Sequence, residues 1–152
     1  MSLRDRLWFA WLAFRSGDPG AIGREREEHE RVLAEAPGDW QAWWEERGGR
    51  ELRCILMTAW DPVGAGDAPE AWDEYDEYLA GVARHLGGAA DPDAAEEAIA
   101  DWLGHVERDY IMGQAGSPDR AAHLAYLASA IVAWHEWSFT HGGRPPREWL
   151  PD

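Results

Sequence analysis

The chain has 152 residues, 45% of them hydrophobic, the size of one ordinary domain able to bury a core without a disulfide or a structural metal. Its single cysteine, Cys54, excludes an intramolecular disulfide, and a net charge of −15, in which every cation is an arginine, repels phosphate backbones and argues against direct nucleic-acid binding. The excess is concentrated: residues 61–116 hold 14 acidic residues against 2 arginines, whereas residues 1–60 hold 11 against 9.

In chain order, Ser2 with Asp5 reads as an N-cap pair, and Leu3, Leu7, Ala10, Trp11 and Phe14 recur at helical spacing, so a helix is expected over 3–16 with Gly17 as its stop. The basic start followed by the apolar run Leu7–Phe14 superficially resembles a signal peptide. Asp5 inside the basic region, Arg15 closing the run and the lack of a small-residue cleavage site point instead to a cytoplasmic protein. No segment approaches the ~18 consecutive apolar residues that a membrane span needs, so no membrane partner is expected.

Asp18-Pro19 is an N-cap followed by a proline at the first helical position. It opens a charged helix to about Ala36, with the thin stripe Ile22, His29, Val32, Leu33 and Ala36. After Pro37-Gly38, Asp39 is expected to cap a segment carrying Trp40, Trp43 and Trp44. The pair Gly48-Gly49 is a candidate break before Leu52, Ile55, Leu56, Ala59 and Trp60 resume a stripe that stops at Asp61-Pro62. Cys54, set in the apolar run Leu52–Met57, is expected to be a buried hydrophobe.

Beyond the loop Val63–Gly66, Asp67 and Glu70 read as a capping box for a helix to about Leu86, with Trp72, Tyr75, Leu79, Val82 and Leu86 inward. On a helical wheel Glu70, Asp73, Glu74 and Glu77 lie opposite that stripe, while Asp76 sits at its border and needs a partner such as an arginine or histidine. Asp91-Pro92 starts the next helix, whose apolar face is Ala95, Ile99, Trp102, Leu103, Val106 and Tyr110, with Gly113 just past its end. Ser117-Pro118 starts the last long helix, with Leu124, Leu127, Ala128, Ile131 and Trp134 on one face and His135 among them as a hydrogen-bonded core histidine. The Pro/Gly-containing stretch 141–152 reads as a tail. The expectation is a single all-α domain, a compact bundle of five or six helices over residues 1–140.

No catalytic motif stands out. No two of the six histidines are three or four residues apart, which excludes a helical His-x-x-x-His zinc pair. Glu70-Ala-Trp-Asp73 matches half of the carboxylate pattern by which a helical nucleotide pyrophosphatase holds Mg²⁺, but Glu27-Glu28-His29-Glu30 and Glu96-Glu97 miss the spacing of the other half. No cofactor and no metal site are expected. Of the 11 tryptophans, Trp40, Trp43, Trp44, Trp137 and Trp149 fit a bundle interior least obviously. Burial is their ordinary fate; if exposed, they would anchor an interface.

The stretch Ile55–Gly64 (ILMTAWDPVG), followed by Pro69–Tyr78 (PEAWDEYDEY) and a fainter Tyr110–Gly113, resembles the YugE-like family of bacterial proteins. That pattern is a hydrophobic helix ending in Trp-Asp-Pro-Ile-Gly-Val and then an acidic helix; here Val63 and Ala65 depart mildly from it. The resemblance covers roughly 40% of the chain. It implies an all-helical fold, a loose association with immunity proteins and no catalytic residues. It singles out Asp61, Asp73, Tyr75, Asp76 and Tyr78, which with Glu74 and Glu77 form the expected partner-binding set. The functional expectation is an acidic binding module, of the immunity or antitoxin kind or a regulatory one, that docks on a basic protein such as a toxin. A metal-dependent hydrolase and a structural or oligomerising helical module are the alternatives.

Overall fold

The computed structural model describes residues 19–62, 64, 73, 75–111 and 118–142. The expected helix 3–16, the Asp18 cap, the Asp67/Glu70 box, Trp72, Glu74, Gly113, Ser117, Trp149 and most of the 141–152 tail lie outside those residues. The described chain forms five helical rods and no strand, as the apolar periodicities require. None of them is long and apolar enough to cross a membrane.

Helix α1 is Pro19–Leu33. It stops three residues earlier than expected because the chain tightens over 34–36, where Glu35 and Ala36 donate to the carbonyls three residues back. Ile22 and His29 are buried and Val32, Leu33 and Ala36 are half-buried, so the thin stripe is the packing face.

Helix α2 runs without interruption through Gly38–Trp43, Trp44–Gly48, Gly49–Ile55 and Leu56–Trp60, and the second and fourth of these segments are π turns. The expected break at Gly48-Gly49 does not occur. A π turn aligns residues five apart, which lays the Trp43 ring on Gly48 and the Trp44 ring beside Gly49. A Cβ at Gly48 would come within 2.7–2.8 Å of the Trp43 ring, so this glycine makes room for a side chain of its own helix. Asp39 lies inside the first turn instead of capping it, and its Oδ1 accepts from the Trp40 amide at 2.9 Å. Cys54 is exposed, contrary to expectation. Leu52, Leu56 and Met57 take the inward positions of that run, and Cys54 falls on the opposite side. The rod ends where Asp61 turns left-handed (φ 33°), a conformation that aspartate tolerates better than most residues.

Helix α3 is Asp76–Gly88. Its buried line includes Tyr78, Val82 and Leu86, with Leu79 only half-buried. Helix α4, Pro92–Asp109, begins as expected: Pro92 occupies the first turn and Asp91 Oδ1 accepts from the Ala94 amide at 2.8 Å. All six residues of its expected apolar face are buried. Helix α5, Pro118–His135, continues into a π turn over Glu136–Thr140, and its five expected core residues are buried.

The most extensive contacts pair α4 with α5 and α1 with α3, and α3 packs on α4. Gly81 lets that last pair approach closely, since a Cβ there would overlap the Trp102 indole, whose Nε1 donates to the Tyr78 carbonyl at 3.2 Å. The amino end of α2 is pinned to the carboxyl end of α5. Trp40 Nε1 donates to His135 Nε2 at 2.9 Å, and Trp43 Nε1 donates to Ser138 Oγ at 3.1 Å. Ser138, 1% exposed, donates in turn to Glu51, which Arg47 clamps at 2.9 and 3.1 Å. Trp40 and Trp43 are therefore core residues, and Trp44 and Trp137 pack against the core.

Candidate functional site

Three arrangements of charged side chains emerge from this packing. The first is the cluster expected from the sequence. Tyr75 and Tyr78 are 2% and 0% exposed, so neither presents its ring to a partner in this conformation. The Tyr75 hydroxyl donates to Asp61 Oδ1 at 2.7 Å, which ties the end of α2 to the approach to α3. Asp76 finds the cation that its border position required: Arg53 Nε and Nη2 lie 2.8 and 2.6 Å from its two oxygens. Asp73 is exposed and Glu77 half-buried. Asp61, Tyr75, Asp76 and Tyr78 thus serve the architecture, and among the described members the charge nearer to solvent is that of Asp73 and, in part, Glu77.

The second arrangement is on α4. Glu107 lies on the buried face, 4% exposed. It accepts from Trp60 Nε1 at 3.0 Å and forms an ion pair with Arg120, whose Nε is 2.7 Å away. This joins α2, α4 and α5 through one carboxylate. On the outer side of the same helix Asp93, Glu97 and Asp101 stand exposed one turn apart and form no hydrogen bond or ion pair among the described residues. Carboxylates paired elsewhere among the described residues include Glu28 with Arg31, Glu30 with Arg26, Glu51 with Arg47, Asp76 with Arg53 and Glu107 with Arg120. The α4 ridge has no such neutralisation. Like charges four residues apart cost a helix roughly 0.2–0.5 kcal/mol per pair; the helix dipole offsets this for Asp93 in the first turn but not for Glu97 and Asp101.

The third arrangement is an open hollow of about 510 Å³ between α1, α3 and α4. Its apolar wall is Trp102 with Ala21, and the His29 ring meets Trp102 edge-on at 4.5 Å. Arg84 from α3 lies 3.2 Å from His29 Nδ1. Arginine only donates, so Nδ1 accepts and the proton of the neutral ring sits on Nε2. Burial first, and the Arg84 charge second, hold His29 below the ordinary histidine range. His85, 6.2 Å from it, is lowered by the same two causes in the same order. On the other side, His105 is held between carboxylates, Nε2 at 3.0 Å from Glu25 and Nδ1 at 2.5 Å from Asp109. Glu25 also accepts from the Tyr110 hydroxyl at 2.7 Å. Burial, and then this bond, push the phenol well above its usual range. Arg24 and Glu28 stand at the rim.

Sequence reasoning placed His29 on a packing stripe but did not bring it together with His85, Arg84 and His105, which are 55 to 76 positions away. Glu107 was also missed. A signal for it existed, because positions 103, 106 and 110 of the apolar face bracket it and a carboxylate there must be buried. Among the described residues no three His, Cys, Asp or Glu side chains are grouped so as to hold a metal ion.

No protein family, curated protein or solved structure matches the chain.

Proposed function

We propose that the chain is an acidic docking module that binds a basic protein, in the manner of an immunity, antitoxin or other regulatory protein. The observation that carries this reading is the row Asp93, Glu97 and Asp101 on the outer face of α4, three exposed carboxylates one turn apart that form no hydrogen bond or ion pair among the described residues. Asp73 and Glu77, within the stretch that resembles the YugE-like family, add to the same field. A uniformly signed surface raises the encounter rate with a partner of opposite sign and loses that advantage as salt screens it. The tryptophans expected as anchors if exposed are largely interior, so the reading rests on charge more than on aromatic anchoring.

The test is capture from the native host with tagged wild-type protein beside the variant Asp93→Asn/Glu97→Gln/Asp101→Asn, followed by association kinetics with the retained protein. A basic protein that binds the wild type, with an association rate that falls steeply between low and high salt and falls likewise in the variant, is the expected result. A rate indifferent to both salt and the triple substitution would overturn the reading.

A further inference from the structure

The hollow between α1, α3 and α4 has an unequal supply of donors and acceptors. Its carboxylates are already satisfied: Arg31 Nη2 lies 2.6 and 2.7 Å from the two oxygens of Glu28, and Glu25 is held by His105 and Tyr110. Its donors are not. Arg84 makes one hydrogen bond, to an uncharged imidazole, and no ion pair among the described residues. In a chain of net charge −15, a guanidinium that faces a cavity and feels Glu28 only at a distance, with no carboxylate in hydrogen-bonding contact among the described residues, is out of keeping with its surroundings. The bond that it does make leaves His29 Nε2 as a second N–H donor with no acceptor among the described residues.

Two donors beside an apolar wall match a planar anion with a flat apolar body, because guanidinium and carboxylate meet in a two-point fork and Ala21 with the 6% of Trp102 left exposed gives that body an apolar contact. The lining also limits the charge of the ligand. Arg24 and Arg84 are opposed by Glu25 and Glu28, and the field of the whole protein is negative, so a phosphate dianion or a polyphosphate is repelled where a monoanion is tolerated. A hollow of about 510 Å³ is within the range of small-molecule sites. We infer that this hollow is a binding site for a small aromatic monocarboxylate, with Arg84 and His29 holding the carboxylate and Trp102 packing against the ring.

The experiment is titration calorimetry of the full chain at neutral pH with benzoate, indole-3-carboxylate and 1-naphthoate, and with benzylamine and inorganic phosphate as controls. Saturable binding of at least one aryl carboxylate, tighter than either control and weakened about tenfold or more in Arg84→Gln, is the expected result. Ala21→Phe fills the hollow without touching Arg84 and should abolish the same binding, which keeps the test informative if Arg84→Gln unfolds. No saturable binding of any of the three carboxylates, phosphate binding as tight as the carboxylates, or an affinity unaltered in a folded variant of either kind would overturn the inference.

Discussion

Helix α4 carries two opposite treatments of the same functional group. Glu107, on its inner side, is almost completely buried and has a cation and an indole N–H at its Oε1; Asp93, Glu97 and Asp101, on its outer side, are exposed and form no hydrogen bond or ion pair among the described residues. The inner carboxylate follows from the cost of burying charge, which obliges a buried ion to be paired. Apart from the helix dipole, which favours Asp93 in the first turn, no buried charge or cap obliges the outer three to exist. The contrast separates acidity that the fold requires from acidity that is left available for recognition.

The largest effect is expected from breaking the inner pair. Arg120→Ala strands a buried carboxylate and should lower the unfolding free energy by about 3–5 kcal/mol, read from urea melts. A loss under about 1 kcal/mol, the range of exposed pairs, would show that water reaches Glu107 and would erase the distinction. An intermediate effect is expected from pH, because the other way to bury a titratable group is to keep it uncharged. Burial holds His29, His85 and His135 below the ordinary histidine value of 6.5. Their unfolded forms therefore bind protons that the folded forms refuse. The stability they contribute is complete above pH 6.5 and is lost as the pH falls below it, so the urea midpoint should drop between pH 7.5 and 5.5 and should drop less in His135→Gln. A midpoint that rose on acidification would contradict the sign. The smallest effect belongs to the outer row. Asp93→Asn/Glu97→Gln/Asp101→Asn should change stability by no more than a few tenths of a kcal/mol, since relief of two like-charge pairs is offset by loss of the Asp93 charge from the first turn. A loss above about 1 kcal/mol would mean that the ridge belongs to the architecture after all.

Much of the fold was legible where local chemistry and periodicity agree. Asp91-Pro92 placed the start of α4, and the apolar spacing of α4 and α5 named core residues that are buried. Asp76 was legible as well, because a border carboxylate needs a cation, and Arg53 supplies it. Legibility failed where a contact overrides a local rule. Paired glycines ordinarily end a helix, but at Gly48-Gly49 the tryptophans five residues earlier need the space, and the helix continues. Cys54 was misplaced because a mostly apolar run, broken only by Arg53, says little about which of its members turns outward. Tyr75 and Tyr78 entered the partner-binding set through the resemblance, although Tyr75 was also on the inward stripe, and the fold buries both rings while Asp73 stays exposed. The hollow was illegible for a simpler reason: its walls come from three helices whose meeting is not encoded in any one segment.

The π turns of α2 have a consequence for how the chain tolerates changes of length. A π turn holds one residue more than the α turn it replaces, and each residue of a helix advances the facing direction by roughly 100°. The rod therefore behaves as a shaft with phase shifts built into it. Trp40 and Trp43 face the carboxyl end of α5, while Leu52, Leu56 and Met57 serve the central core. Removing one residue from Trp44–Gly48 would turn the two halves against each other, whereas an equally short deletion in a loop would be absorbed. In α2 the number of residues between Trp43 and Leu52 is thus as much a part of the inherited specification as their identity.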